Sequence, residues 1–181
     1  MTTMEKEQAR RRMHFVAGED LYFLTYALLL VLDVFRCNSL ERALNDYRKI
    51  AFVADFISSP RLTRGLTLWS EQPGRISRED QELLRAVHDR GVARIPLFFR
   101  LLYILEQRGL VSVAPADKAR TLRLCLRESP TSRALVDSEL FDPERQHIRC
   151  LRKVVPKLRS ASLPSVLDVL YGRFGVSTWV G

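Results

Sequence analysis

A mainly α-helical fold carrying one small β-hairpin is what this sequence predicts, and three observations carry it. Apolar residues recur every three or four positions through most of the chain, which is the period of one helix face. Helix-start signals stand at Asn38-Ser39, at Ser77 with Asp80 three residues on, at Ser129-Pro130 and at Asp142-Pro143. One short run instead alternates, with Leu122, Leu124 and Leu126 on one side and Arg123, Cys125 and Arg127 on the other, the period of a strand.

Taken in order, residues 1–19 form a flexible N-terminal segment of mixed charge, with no signal-peptide apolar region behind Arg10-Arg11-Arg12. A first helix is expected from Asp20 to Arg36. Its core, LYFLTYALLLVLDVF, is apolar nearly all round, the mark of a central helix. That run has 15 residues and contains Asp33, short of the about 20 apolar residues a membrane span needs. The chain is therefore read as soluble and cytoplasmic, with no membrane partner. A second helix, Leu40 to Ile57, completes a helix pair over 20–59, with Glu41, Arg42, Asp46, Lys49 and Asp55 on a solvated face. Residues 60–76, punctuated by Gly65, Pro73 and Gly74, read as a connector with Trp69 tucked against the core or free to anchor a partner.

Residues 77–128 form a winged-helix-like unit. Ser77 and Asp80 open a helix to Asp89, Arg90-Gly91-Val92-Ala93 is a turn, and a second helix runs from Arg94 to Arg108 with Pro96 in its first turn and Gly109 as its cap. Strands over 110–114 and 121–127 close the unit as a hairpin, completing a helix-turn-helix followed by a β-hairpin. Residues 129–181 are basic C-terminal helices and a tail, interrupted at Pro156 and Pro164 and ending near Trp179.

Catalytic motifs are missing from the sequence: no phosphate-cradling glycine loop, no HExxH, no GxSxG. The three cysteines stand far apart, and the three histidines lack metal-ligand spacing; His147 and Cys150 read as a surface histidine beside a half-buried thiol. A non-catalytic chain with no cofactor and no metal is the expectation. Charge says more. The 181 residues carry a net charge of +8; residues 1–58 hold eight basic and eight acidic side chains, so the excess lies beyond them, within 59–160. Its densest part is Arg145, Arg149, Arg152, Lys153, Lys157 and Arg159, with no acid between them. The first four form one helical stripe opposite Ile148, Leu151, Val155 and Leu158. Such a stripe attracts double-stranded DNA through its backbone, RNA or an acidic protein, and it also serves a bland solvating role. Lys118 and Arg120 at the hairpin tip stand where a wing meets phosphates. The helix RIPLFFRLLYILEQR is too apolar to read base edges, so Phe98, Phe99 and Tyr103, with Trp69, are candidates for a protein-partner surface.

The succession LTYALLLVLDVF, KIAFVADFISSP, LLYILEQRGLVSV, RTLRLCLRES and PTSRALVDSELF, leading into the basic helix, resembles the small middle components of three-component ABC-ATPase anti-phage systems of bacteria, the Lamassu type. The likeness covers residues 20–158. It implies a non-catalytic accessory subunit joining an SMC-like ABC ATPase to an effector, often a nuclease, in a complex that senses foreign DNA. No family catalytic residue carries over. The rival expectation is a homodimeric winged-helix transcription regulator.

Overall fold

The computed structural model describes residues 21–72, 76–116 and 121–178. The N-terminal segment, the hairpin tip with Lys118 and Arg120, and Trp179 lie outside the described residues. The mainly α-helical class with a hairpin holds. In chain order the elements are α1 (Leu21–Val34), a 3-10 turn (Leu40–Arg42), α2 (Arg48–Ser58), α3 (Pro60–Glu71), α4 (Arg78–Gln107), β1 (Val111–Pro115), β2 (Leu122–Leu126), α5 (Pro130–Val136), a 3-10 turn (Glu139–Phe141), α6 (Asp142–Val154), α7 (Leu163–Leu170) and a 3-10 turn (Gly172–Phe174).

Helix α2 is the hub, packed by α1, α3, α4, α6 and α7. Every residue from Lys49 to Ile57 is buried. The expected second helix is therefore shorter, and its solvated face does not exist past the 3-10 turn: Asp46, Lys49 and Asp55 are all interior. Residues 43–47 leave the helix instead, and Leu44 forms a β-bridge to Leu124. Leu44 exchanges backbone hydrogen bonds with Leu124 at 2.9 and 3.0 Å, and the Tyr47 N–H donates to the Leu122 carbonyl at 3.1 Å. This segment covers the edge of β2 that a free wing would leave open. The hairpin itself pairs antiparallel, from Val111 opposite Leu126 to Pro115 opposite Leu122. Cys125, expected to face outward, is buried.

The connector over 60–76 is a helix along most of its length. Ser59 accepts the Leu62 N–H and Pro60 occupies the first turn, so α3 starts where proline costs nothing. Gly65 makes room for the Trp69 ring one turn on, since a Cβ there would lie 2.7 Å from it. Trp69 meets the Phe174 ring edge-on at 6.0 Å, pinning the end of the chain to α3.

The helix-turn-helix is replaced by one continuous helix. Ser77 caps α4 by accepting the Asp80 N–H, as its sequence signal predicts, but the helix runs 30 residues without a turn at Arg90–Ala93. Gly91 serves close approach: a Cβ there would stand 2.6 Å from Cδ1 of buried Phe52, where α4 crosses α2. Across the same crossing Arg90 donates to Asp55 Oδ2 at 3.0 Å and Arg94 to Oδ1 at 3.0 Å. Pro96 sits inside the helix, and it and Val92, whose carbonyl loses its donor, are both exposed, so water can take that carbonyl. Gly109 ends the helix with φ 68. Farther on, Ser129 and Ser132 form a reciprocal capping box on α5, and Pro164 starts α7 rather than breaking a helix.

Candidate functional site

The site is built where the end of α1 meets the end of α6. Helix α1 closes with Arg36 in the left-handed region at φ 55. There the Cys37 N–H bonds back to Leu32 at 2.7 Å and the Arg36 N–H to Asp33 at 2.9 Å. Glycine is the usual occupant of that position, because a side chain there meets the following carbonyl. Six residues on, the 3-10 turn presents Arg42, also exposed. From the other side α6 delivers Arg152, whose Nη1 donates to the Val34 carbonyl at 2.8 Å, tying the two helix ends together. Val155 and Pro156 end α6, and the following turn carries Lys157 and Arg159.

The result is a cleft of about 340 Å³ whose charged lining is Arg36, Arg42, Arg152, Lys157 and Arg159, with no carboxylate among its walls. None of these five forms an ion pair among the described residues. Arg149 and Lys153, exposed on α6 and likewise without a carboxylate, extend the basic surface along the helix.

Buried Lys49 holds this face from inside. Its Nζ donates to the carbonyls of Leu158 at 3.0 Å and Arg159 at 3.4 Å, and the Asn45 N–H adds a bond to Arg159 O at 3.1 Å. The turn bearing Lys157 and Arg159 is thus fastened to α2. Burial pushes the Lys49 ammonium down to about 8, opposed by the nearby Asp46 carboxylate. Burial pushes the neighbouring Cys37 thiol up to about 12, opposed by the charge of Arg159.

The structure divides the residues expected from sequence. Arg152, Lys157 and Arg159 line the cleft, and Arg149 and Lys153 flank it. Arg145 does not belong: its guanidinium donates to the Ser138 carbonyl at 2.8 Å and pairs with Asp142 at 3.1 Å, with only 14% of the side chain exposed. Arg36 and Arg42 were missed. The sequence places Arg42 on a solvated helix face, and more than a hundred residues separate both from Arg152. A signal existed for Arg36 alone, as a bulky cation directly after an apolar helix where glycine is usual.

The partner candidates divide too. Phe98 is fully buried and belongs to the core, so it is no surface anchor, and Trp69 is half-buried against Phe174. Phe99 and Tyr103 are exposed at 55% and 67%, and with Ile104 they form an apolar stripe on α4 beside Val113 and Leu122. His147 is structural, its Nδ1 lying 2.7 Å from the Ile57 carbonyl at the end of α2. No group of three metal-ligating side chains occurs among the described residues, and no helix there is long and apolar enough to cross a membrane. The continuous α4 also removes the recognition helix on which the transcription-regulator expectation rested. Compared with known proteins, the chain matches no family model, no curated protein and no solved structure.

Proposed function

We propose that this chain is a non-catalytic accessory subunit that holds nucleic acid by its phosphate backbone. One observation supports the reading: Arg36, Arg42, Arg149, Arg152, Lys153, Lys157 and Arg159 gather at the junction of α1 and α6, and none has a carboxylate partner among the described residues. Cations collected without counter-charges repel one another, and an external polyanion relieves that repulsion. Contacts of this type carry no base sequence, so binding is expected to be indifferent to sequence and steeply dependent on salt. The larger assembly is the one implied by the resemblance, an SMC-like ABC ATPase with a nuclease-type effector. The exposed Phe99 and Tyr103 face of α4 is then the side available to those subunits.

The test is duplex DNA binding by the purified full chain, followed by fluorescence anisotropy. The double variant Arg149→Glu/Lys153→Glu is expected to weaken binding at least tenfold while the thermal transition stays within a few degrees. Binding equal to the unaltered chain would refute the basic face as the nucleic-acid surface. Arg152 is left out of the variant because it also ties α6 to the end of α1.

A further inference from the structure

The cleft differs from the rest of the basic face in shape and in how it is held. Arg149 and Lys153 stand on an open helix surface, whereas Arg36, Arg42, Arg152, Lys157 and Arg159 line a concavity of about 340 Å³. That volume lies in the range of small-ligand sites. A nucleic-acid backbone spaces its phosphates along a strand, so few of them can enter one small hollow together. Five cations around one small hollow call instead for a ligand that concentrates its negative charge. A single phosphate brings about two charges, so two or more linked phosphates are the better match.

Both walls are fixed before any ligand arrives. On one side Arg36 is kept in a left-handed conformation that its side chain disfavours, the kind of backbone outlier that persists where the surroundings impose it. The Arg152 bond to the Val34 carbonyl fastens that wall to α6. On the other side the Lys49 and Asn45 bonds to the 158–160 turn fasten Lys157 and Arg159 to α2. Like charges held close by buried anchors form a preorganised anion site, because the cost of bringing them together is met in folding rather than in binding.

We infer that this cleft is a binding site for a small oligophosphate, a ligand with two or three linked phosphates, whether free or carried on a nucleoside. This goes beyond the backbone-binding role and does not rest on it, since Arg149 and Lys153 lie outside the cleft.

Isothermal titration of the full chain with tripolyphosphate, ADP and adenosine tests the assignment. Tripolyphosphate and ADP are expected to bind saturably at one per chain, and adenosine not to bind. Tighter binding of ADP would assign the nucleoside-borne form, and tighter tripolyphosphate the inorganic one. Arg42→Ala/Lys157→Ala, two exposed positions, should weaken both at least tenfold, and Arg42→Lys/Lys157→Arg should restore most of the affinity. Arg149→Glu/Lys153→Glu should lose duplex DNA while keeping tripolyphosphate within threefold. Absence of saturable binding by either phosphate ligand would overturn the inference, as would equal losses in the cleft and helix variants. Neither result touches the backbone reading, which stands or falls on the duplex measurement.

Discussion

Two charged regions of this molecule follow opposite rules. At the crossing of α2 and α4, each exposed or buried arginine near Asp55 is spent on it: Arg90 holds one carboxylate oxygen and Arg94 the other, each at 3.0 Å. Asp46 is similarly filled by Arg48 and by the Thr121 hydroxyl, the latter at 3.0 Å. At the α1–α6 junction the same residue type is left with no carboxylate partner. The chain has acids enough to neutralise that junction, 21 against 29 basic residues, and places them elsewhere. At the crossing, charge is paired because an uncompensated buried ion costs several kcal/mol; at the junction, it is left open for a ligand.

The comparison breaks most visibly at Asp55. Asp55→Ala leaves Arg94, 5% exposed, without its carboxylate, and should cost about 3–5 kcal/mol in denaturant unfolding. Anion binding by the folded fraction should be unchanged. A loss below about 1 kcal/mol would mean that the crossing is not held by this pair.

Gly91 sharpens the packing beneath that pair. Alanine favours a helix by about 1 kcal/mol over glycine, so an open helix position would gain from Gly91→Ala. Here the new Cβ would stand 2.6 Å from Phe52, a fully buried ring. The clash should win, with a net loss of about 1–3 kcal/mol by thermal unfolding. A stabilised variant would place Gly91 away from α2.

Arg36 reverses the direction. Arg36→Gly removes the conflict at φ 55 and should raise stability by about 0.5–1 kcal/mol, because the relieved strain exceeds the extra freedom of the unfolded glycine. The same change should lower oligophosphate affinity. Stability and binding moving in opposite senses is the signature of a residue retained for its ligand.

The two charged regions also differ in their response to pH. Lys49 is held at about 8 in the fold against its ordinary 10.5, so between these values the unfolded chain binds more protons and stability rises with pH. Cys37 is held at about 12 against 9.0, so above pH 9 the fold binds more protons and stability falls. Stability followed by denaturant midpoint should therefore climb from pH 8 to 9, flatten to about 10.5 and decline beyond it. Lys49→Met should remove the climb and Cys37→Ala the decline.

How far these regions were legible in the sequence follows from how local each signal is. Helix α1 showed in its apolar run, β2 in its alternation, and the start of α4 in Ser77 with Asp80, all read within a few residues. Helix α3 was missed because Gly65 looks like a breaker, although Ser59-Pro60 carried the start signal; the glycine's purpose, space for Trp69, exists only after folding. Gly91 misled for the same reason, its partner Phe52 lying 39 positions away. Asp55 looked solvated because Arg90 and Arg94, spaced for one face of α4, meet it only across a helix crossing. The basic stripe of α6 was readable as composition. That Arg145 is consumed by Ser138 and Asp142, while Arg36 and Arg42 arrive from the other end of the chain, is decided by packing alone.

The salt dependence of duplex binding tests the central claim most directly, because it counts phosphate contacts rather than affinity. Each neutralised phosphate contributes about −0.9 to the slope of log affinity against log salt. Removing Arg149 and Lys153 together, as alanines, should reduce the magnitude of that slope by about 2, with no change among duplexes of different sequence. A slope identical to that of the unaltered chain would contradict the account, showing that the unpaired cations at the α1–α6 junction do not face nucleic acid.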